Sequence, residues 1–217
     1  MKIINLGETD SLLGHYLAQL RDRTIQKDSL RFRRNLERMG EIFAYEISKT
    51  LHYETFETET PLGIAESRVL TNPIVLATIL RAGLPVHQGL LNFFDDAQNA
   101  FVAAYRKYGA GNECDMNIEY QSCPPLEGKI LVIADAMLAS GASMLMTYES
   151  LVANGEPAYT HIVCPLASRD GVENLSKNLP HKHVTFWVGA IDEELTNHSY
   201  IVPGLGDAGD LAFGEKN

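Results

Sequence analysis

The chain has 217 residues, 45% hydrophobic and 21% charged, a balance that excludes a disordered chain and fits one folded domain over residues 1–217. Its 18 Lys and Arg face 28 Asp and Glu, a formal net charge of -10 that argues against wrapping a nucleic acid, because affinity for a phosphate backbone comes from clustered cations. No run approaches the ~18 consecutive apolar residues of a membrane span and MKIINLGETD lacks the basic-then-apolar layout of a signal peptide, so a cytoplasmic location without membrane partners is expected.

Phe32, Leu36, Met39, Phe43, Ile47 and Leu51 recur at helical spacing with Arg33, Arg34, Glu37, Arg38 and Glu41 between them. This predicts an amphipathic helix from Ser29 to Leu51 that packs on the core and is long enough to serve a subunit interface as well. After Pro61 and Gly63 the pattern changes to short apolar runs separated by helical or turn segments, the alternation of a parallel sheet buried on both faces. Four strands are expected at Ile74 to Leu80, Phe101 to Tyr105, Ile130 to Ala134 and Thr185 to Ile191. A fifth, His161 to Ala167, contains Pro165 and is expected near an edge. Helices are expected at Leu84 to Phe94, Ser143 to Asn154 and Gly171 to Leu179. The fold class is therefore α/β, a parallel open sheet flanked by helices. Cys114, Cys123 and Cys164 form no CxxC pair, which fits a reducing compartment, and His181 and His183 read as part of a solvated turn rather than a metal site.

In such a sheet the ligand crevice lies beyond the carboxyl ends of the strands. The first run ends in Arg81 (ILRAG), the second in Arg106 (AAYRK) and the third in Asp135 (LVIADAMLASGAS). Two guanidinium forks at one rim suit paired phosphate oxygens, and a neighbouring carboxylate suits sugar hydroxyls or water on a bound metal ion. The small residues Ala139-Ser140-Gly141-Ala142-Ser143 lie before a helical run, where backbone N–H groups and the helix dipole favour a phosphate monoester. No Walker sequence is present. Near the C-terminus YIVPGLGDAGD (Tyr200 to Asp210) is too rich in Gly and Pro for helix or strand. Read alone it is a surface turn, or a place where the main chain approaches a flat ligand.

Taken in order, ILRAG, YR, D-x-M-L-A-S-G-A-S and YIVPGLGDAGD resemble the uracil phosphoribosyltransferase family. The similarity extends from His15 and Leu20 to Asp22, through Phe43-Ala44-Tyr45-Glu46, to Phe213 and Gly214. The resemblance implies a type I phosphoribosyltransferase fold with an N-terminal helical arm and a C-terminal hood over the base. It implies transfer of the phosphoribosyl group of phosphoribosyl pyrophosphate (PRPP) to uracil, giving UMP and pyrophosphate. Carried over residue by residue, Arg81, Arg106, Asp135 and Asp207 form the catalytic set. Asp135, Ala136, Met137, Leu138, Ala139, Ser140, Gly141, Ala142 and Ser143 form the PRPP loop. Ile201, Gly206, Asp207 and Ala208 read the base. Mg²⁺ arrives bound to PRPP without a dedicated protein site, family members are homo-oligomers, often dimers, and some are stimulated by GTP.

Two departures from the family pattern stand out. Ala136, Ser140 and Ala142 replace the family's Pro, Thr and second Gly, and Ala142 is expected to fit only if its φ is negative. Residues 107–127, in the position of the family's active-site cover, lack its T-L-x-P pattern and carry Glu113, Asp115 and Glu119. Two other readings remain open: transfer to a different base, and a non-catalytic sensor of PRPP or a nucleotide.

Overall fold

The computed structural model describes residues 1–108 and 114–215, with backbone alone at 104–108 and 114–117. In chain order the elements are β1 (Lys2–Asn5), α1 (Leu12–Arg21), α2 (Ser29–Ser48), β2 (Tyr53–Thr60), β3 (Gly63–Leu70), β4 (Ile74–Leu80), α3 (Leu84–Leu91), β5 (Gln98–Tyr108), β6 (Cys114–Ser122), β7 (Ile130–Ala134), β8 (Met137–Leu138), α4 (Ala142–Val152), β9 (Tyr159–Ser168), α5 (Arg169–Asn178), β10 (Val184–Asp192), β11 (Glu194–Leu195), β12 (Ile201–Val202) and α6 (Ala208–Phe213). The main sheet has the order β1-β10-β9-β7-β4-β5-β6, with β8 continuing beside β9. Every pairing in it is parallel except β5 with β6.

Alternate side chains of each central strand feed two cores. Ile74, Leu76, Val132, Val163 and Trp187 pack beneath α1, α2 and α3 against Leu13, Phe32, Leu36 and Met39. Val75, Ala77, Leu131, Ile133, Ile162 and Phe186 pack on the other face against Met144, Leu151 and Leu175 of α4 and α5. This is why β4 and β7 read as unbroken apolar runs: a strand covered on both faces has no solvent side to mark with polar residues. The connection from β4 to β5 passes through α3 on one face, whereas β7 to β9 and β9 to β10 pass through α4 and α5 on the other. Strand order therefore reverses between β4 and β7, the switch point at which loops diverge and leave a crevice at the carboxyl ends.

Two expectations are corrected. The strand carrying Pro165 is central, between β10 and β7, not near an edge. It tolerates the proline because Pro165 faces Gly189 at a position where β9–β10 pairing is skipped, between Cys164↔Val188 and Leu166↔Ala190. Residues 53–70, assigned no element from the sequence, form an antiparallel hairpin with full register from Tyr53↔Leu70 to Thr60↔Gly63. The segment 107–127 contributes β6, paired with β5 at the sheet edge, and its residues 109–113 lie outside the described residues. Cys123 and Cys164 are free thiols.

Helices α2 and α3 touch backbone to backbone. A Cβ on Gly40 would lie 2.3 Å from the Val86 carbonyl oxygen, and one on Gly89 would lie 1.9 Å from that of Glu37, so no side chain fits at either position. We predict that Gly89→Ala lowers unfolding free energy in a urea titration by about 1–3 kcal/mol as the helices are wedged apart. Gly14→Ala, in α1 with nothing within 4 Å of the new methyl, raises it by about 0.5–1 kcal/mol through helix propensity alone.

Candidate active site

One cavity of about 260 Å³ occupies the switch-point crevice, walled by Arg81 after β4, Asp135, Met137, Ala139 and Ser143 after β7, and Tyr200, Gly206, Asp207 and Ala208 from the C-terminal tract. The ends of β4 and β7 are clamped together. Thr78 Oγ1 donates to the Ala134 carbonyl at 3.3 Å, and a Cβ on Gly83 would lie 2.4 Å from that hydroxyl and 2.7 Å from the Ala134 oxygen. The glycine of ILRAG is thus a matter of space: it lets the chain turn across β7 directly after Arg81.

Arg81 Nη2 donates to Asp210 Oδ1 at 3.1 Å and to the Gly214 carbonyl at 3.2 Å, while among the described residues its buried Nε has no partner. Asp135 is half-buried at the floor. Burial pushes its carboxyl up to about 7, against the downward pull of the Ala136 and Met137 backbone N–H groups, the former at 2.7 Å from Oδ1. A carboxylate held this way favours any cation or hydroxyl donor that shares its charge.

The small-residue turn is built from below. Ser168 Oγ donates to the Ala139 carbonyl at 2.6 Å and accepts from Gly171 N at 2.9 Å, and Asn174 Nδ2 donates to the Ser140 carbonyl at 2.8 Å. Gly141 adopts φ 80° as the N-cap of α4 and has no side chain to cap it, and the neighbouring Ser140 Oγ accepts from Ala142 N at 3.5 Å. Ala142 is the first residue of α4, outside the left-handed region, so its methyl carries no backbone cost. The left-handed position falls on the glycine the chain retains. A small recess of about 70 Å³ between residues 135 and 144 continues from the main cavity to this helix start.

The C-terminal tract is held against the rim by Asp192 at the end of β10. Its carboxylate accepts both fork nitrogens of Arg21 at 2.7 Å and Gly204 N at 2.9 Å, and Arg21 also donates to the Gly204 carbonyl at 3.0 Å. Burial alone raises the Asp192 carboxyl, but Arg21 and the Gly204 N–H outweigh it and hold it below the usual range. Gly204 and Gly206 take positive φ, and Asp207 caps α6 by accepting from Asp210 N at 2.9 Å.

Arg81, Asp135, Met137, Ala139, Ser143, Gly206, Asp207 and Ala208 are therefore gathered at one cavity, and Leu138, Ser140 and Gly141 line the recess beside it. Ala136 is fully buried in the core, and Ile201, 4% exposed, anchors the tract rather than lining the cavity. The Arg106 side chain lies outside the described residues. Its backbone is near the end of β5, the strand next to β4. Ser199, Tyr200 and Gly209 also line the cavity, and Asp210 binds Arg81. The last three lie inside the tract already marked by its Gly and Pro content, but nothing in their residue types separates them from surface polar groups.

A family model described as uracil phosphoribosyltransferase matches residues 8–215. The chain belongs to the uracil phosphoribosyltransferase family. Proteins carrying that name in Porphyromonas gingivalis and Methanothermobacter thermautotrophicus are similar to it, the first 51% identical over 216 residues with both chains covered in full, the second 40% identical over 192 residues, covering 88% of this chain and 86% of its own. A solved protein of Aquifex aeolicus superposes with a TM-score of 0.86 at 30% identity over 98% of each chain. A hypoxanthine phosphoribosyltransferase of Staphylococcus aureus shares the fold, with a TM-score of 0.51 at 15% identity over 74% of each chain. The family's fold is thus the type I phosphoribosyltransferase architecture, and the chain is a phosphoribosyltransferase. No helix of the described residues is long and apolar enough to cross a membrane.

A carboxyl whose folded pKa lies above its unfolded value favours folding most at low pH, and the advantage is lost as pH rises through the folded value. For Asp135 that window runs from about 4 to about 7. Asp135→Asn removes the titration. We predict that its unfolding free energy exceeds that of the parent at neutral pH and that the decline across this window flattens, read from urea midpoints across the pH range.

Proposed function

We propose that the chain transfers the phosphoribosyl group of PRPP to N1 of uracil, the bond from the anomeric carbon to pyrophosphate breaking as the bond to N1 forms and the N1 proton leaves. The observation that supports this most directly is the convergence of an arginine fork, a half-buried carboxylate, a helix start with a small-residue turn and a glycine-bearing tract on one cavity. Each suits one part of the reactants. The recess ending at Gly141 to Ser143 fits the 5′-phosphate, with Ala139, Ser140 and Ala142 around it, and Asp135 the ribose hydroxyls. Arg81 and Arg106 serve the diphosphate, and the backbone of Gly206, Asp207 and Ala208 the edge of a flat base, with Ile201 supporting that backbone from below.

Little covalent chemistry falls to the protein. Its work is alignment and charge stabilisation, the terms that carry most of the rate in displacements of this kind. Arg81 exchanges Asp210 for phosphate oxygens on binding. Asp135 and Asp207 present hard oxygen donors to the same cavity, a set suited to Mg²⁺ that keeps much of its water and arrives on the diphosphate. The ion supplies charge neutralisation of the leaving group. The free thiols Cys123 and Cys164 fit the reducing cytoplasm.

The chain is also proposed to act as a homo-oligomer, most simply a dimer. The β2–β3 hairpin exposes Phe56 and Val69 on one face and Ile64 on the other, with Leu62 fully exposed at its turn, apolar surface that a second copy clasping the hairpin would cover. A Leu62→Asp, Ile64→Asp double variant is expected to elute as a smaller species with unchanged circular dichroism, and an unchanged elution volume removes the hairpin from the contact.

The decisive assay is UMP formation from uracil, PRPP and Mg²⁺, with cytosine, hypoxanthine and orotate as competing bases and GTP added in a parallel arm. Uracil is expected to be the preferred base. Arg81→Ala is expected to lower kcat/KM for PRPP by about 10²–10³-fold. Unchanged kinetics would take Arg81 out of the site, and PRPP binding without pyrophosphate release would overturn the enzymatic reading.

A further inference from the structure

At the opposite end of the sheet, where β1, β7, β9 and β10 begin, a second cavity of about 300 Å³ opens between apolar walls formed by Ile4, Leu51 and Ile130. Its floor is aromatic. The Tyr159 and His161 rings lie 4.9 Å apart, and Trp187 lies 6.0 Å beyond His161. The cavity is of the size that encloses a small molecule, and it shares no residue with the candidate active site.

Several of its polar groups have donor protons to spare. Trp187 Nε1 donates to His161 Nδ1 at 3.0 Å, and an indole nitrogen can only donate, so the neutral imidazole carries its proton on Nε2. Burial lowers the His161 pKa to about 4, which keeps the ring neutral near pH 7. His161 is 3% exposed, and among the described residues its Nε2 makes no hydrogen bond. Beside it Tyr159 and Thr185 share one hydrogen bond of 2.8 Å between two hydroxyls, which leaves one hydroxyl proton over. Asn72 spends its carbonyl oxygen on the His52 N–H at 2.7 Å and keeps its amide protons, and Lys2 lies at the same mouth. His161 Nε2 is not among the fully enclosed unpaired atoms, so its proton is reachable from the cavity, and a guest that brings oxygen can accept it.

We propose that this cavity binds a small planar ring bearing a carbonyl or carboxylate oxygen, which accepts from His161 Nε2 while the ring lies against Tyr159 and Trp187. The site is separate from the catalytic cleft, at the other end of β9. That strand begins at the aromatic floor with Tyr159 and ends at Ser168, whose hydroxyl holds Ala139 in the small-residue turn.

The chain contains a single tryptophan, so its indole N–H gives one cross-peak in a ¹⁵N spectrum and reports on the His161 ring directly. The full-length protein, held with UMP to occupy the catalytic cleft, is titrated with nicotinamide as a neutral carbonyl ring, benzoate as an aromatic carboxylate, and indole as a flat ring with no oxygen. A saturable shift with nicotinamide or benzoate is expected, and which of the two binds tighter identifies the acceptor. Indole is expected to bind at least tenfold more weakly. His161→Phe keeps a ring but removes the donor and is expected to weaken the favoured ligand at least tenfold. If that variant does not fold, Leu51→Phe, which fills the cavity from its wall, must abolish the shift. Absence of a saturable shift at about 10 mM, a level that detects even millimolar affinity, overturns the proposal. So does indole binding as tightly as the oxygen-bearing rings, or affinity unchanged in the substituted proteins.

Discussion

A bidentate ion pair joins the first part of the chain to the last. Arg21, at the end of α1, places both fork nitrogens on Asp192, at the end of β10, and the same carboxylate takes the Gly204 N–H while Arg21 takes the Gly204 carbonyl. Four hydrogen bonds thus converge where the chain leaves the sheet and begins the tract that closes the cavity. With Asp192 8% and Arg21 24% exposed, neither partner can be removed without leaving a charge in a place water reaches poorly. Residues 203–207, between β12 and α6, have no regular structure of their own, and this anchor holds them at Gly204. A second tie, from Arg33 to the Ala212 carbonyl at 2.6 Å, holds the short helix that follows.

The anchor matters because of where the sheet directs the other groups. Reversal of strand order between β4 and β7 makes neighbouring strands release their chains toward opposite faces, and the space between receives Arg81 from one side and Asp135 from the other. Neither β4 nor β7 can lengthen without filling that space, which is why both apolar runs end abruptly in a charged residue. The turn after β7 is then shaped by α5. Ser168 and Asn174 hold the carbonyls of Ala139 and Ser140, which fixes the path of the turn that leads into α4 beside the recess.

This division explains what could be read in the sequence and what could not. The bounds of β4 and β7 agree with the apolar runs at both ends because burial on two faces leaves a contiguous signature. The polar residues of the cavity stood out because they follow those runs immediately. The β2–β3 hairpin left no such mark: Tyr53 to Thr60 is exposed along nearly its whole length, and Glu and Thr occupy both faces, so no period-two contrast exists. Pro165 misled for a related reason. A proline forbids a ladder bond on one side only, and here the strand skips a pair opposite Gly189, a compensation that involves a residue 24 positions away. The partners of Arg21 and Arg81 were equally hidden, since one acidic residue among 28 is marked only by the fold.

The cavity is electrostatically unsettled in a way that bears on its use. Asp135 is kept from ionising freely by burial, and Arg81 Nε has no partner among the described residues while Nη2 is shared between Asp210 and a backbone carbonyl. In a chain with net charge -10 an exposed arginine would find a better carboxylate, and an exposed aspartate would simply ionise. Holding both short of full satisfaction costs stability, and a reactant that brings diphosphate oxygens to Arg81 and hydroxyls or a hydrated cation to Asp135 supplies the missing partners at once. In the proposed reaction, binding energy gained this way would be available where the leaving group departs, because the same two side chains stand on either side of the switch point. Preorganisation and local instability are then one property, since groups satisfied within the protein would have to be released before they could act on a ligand.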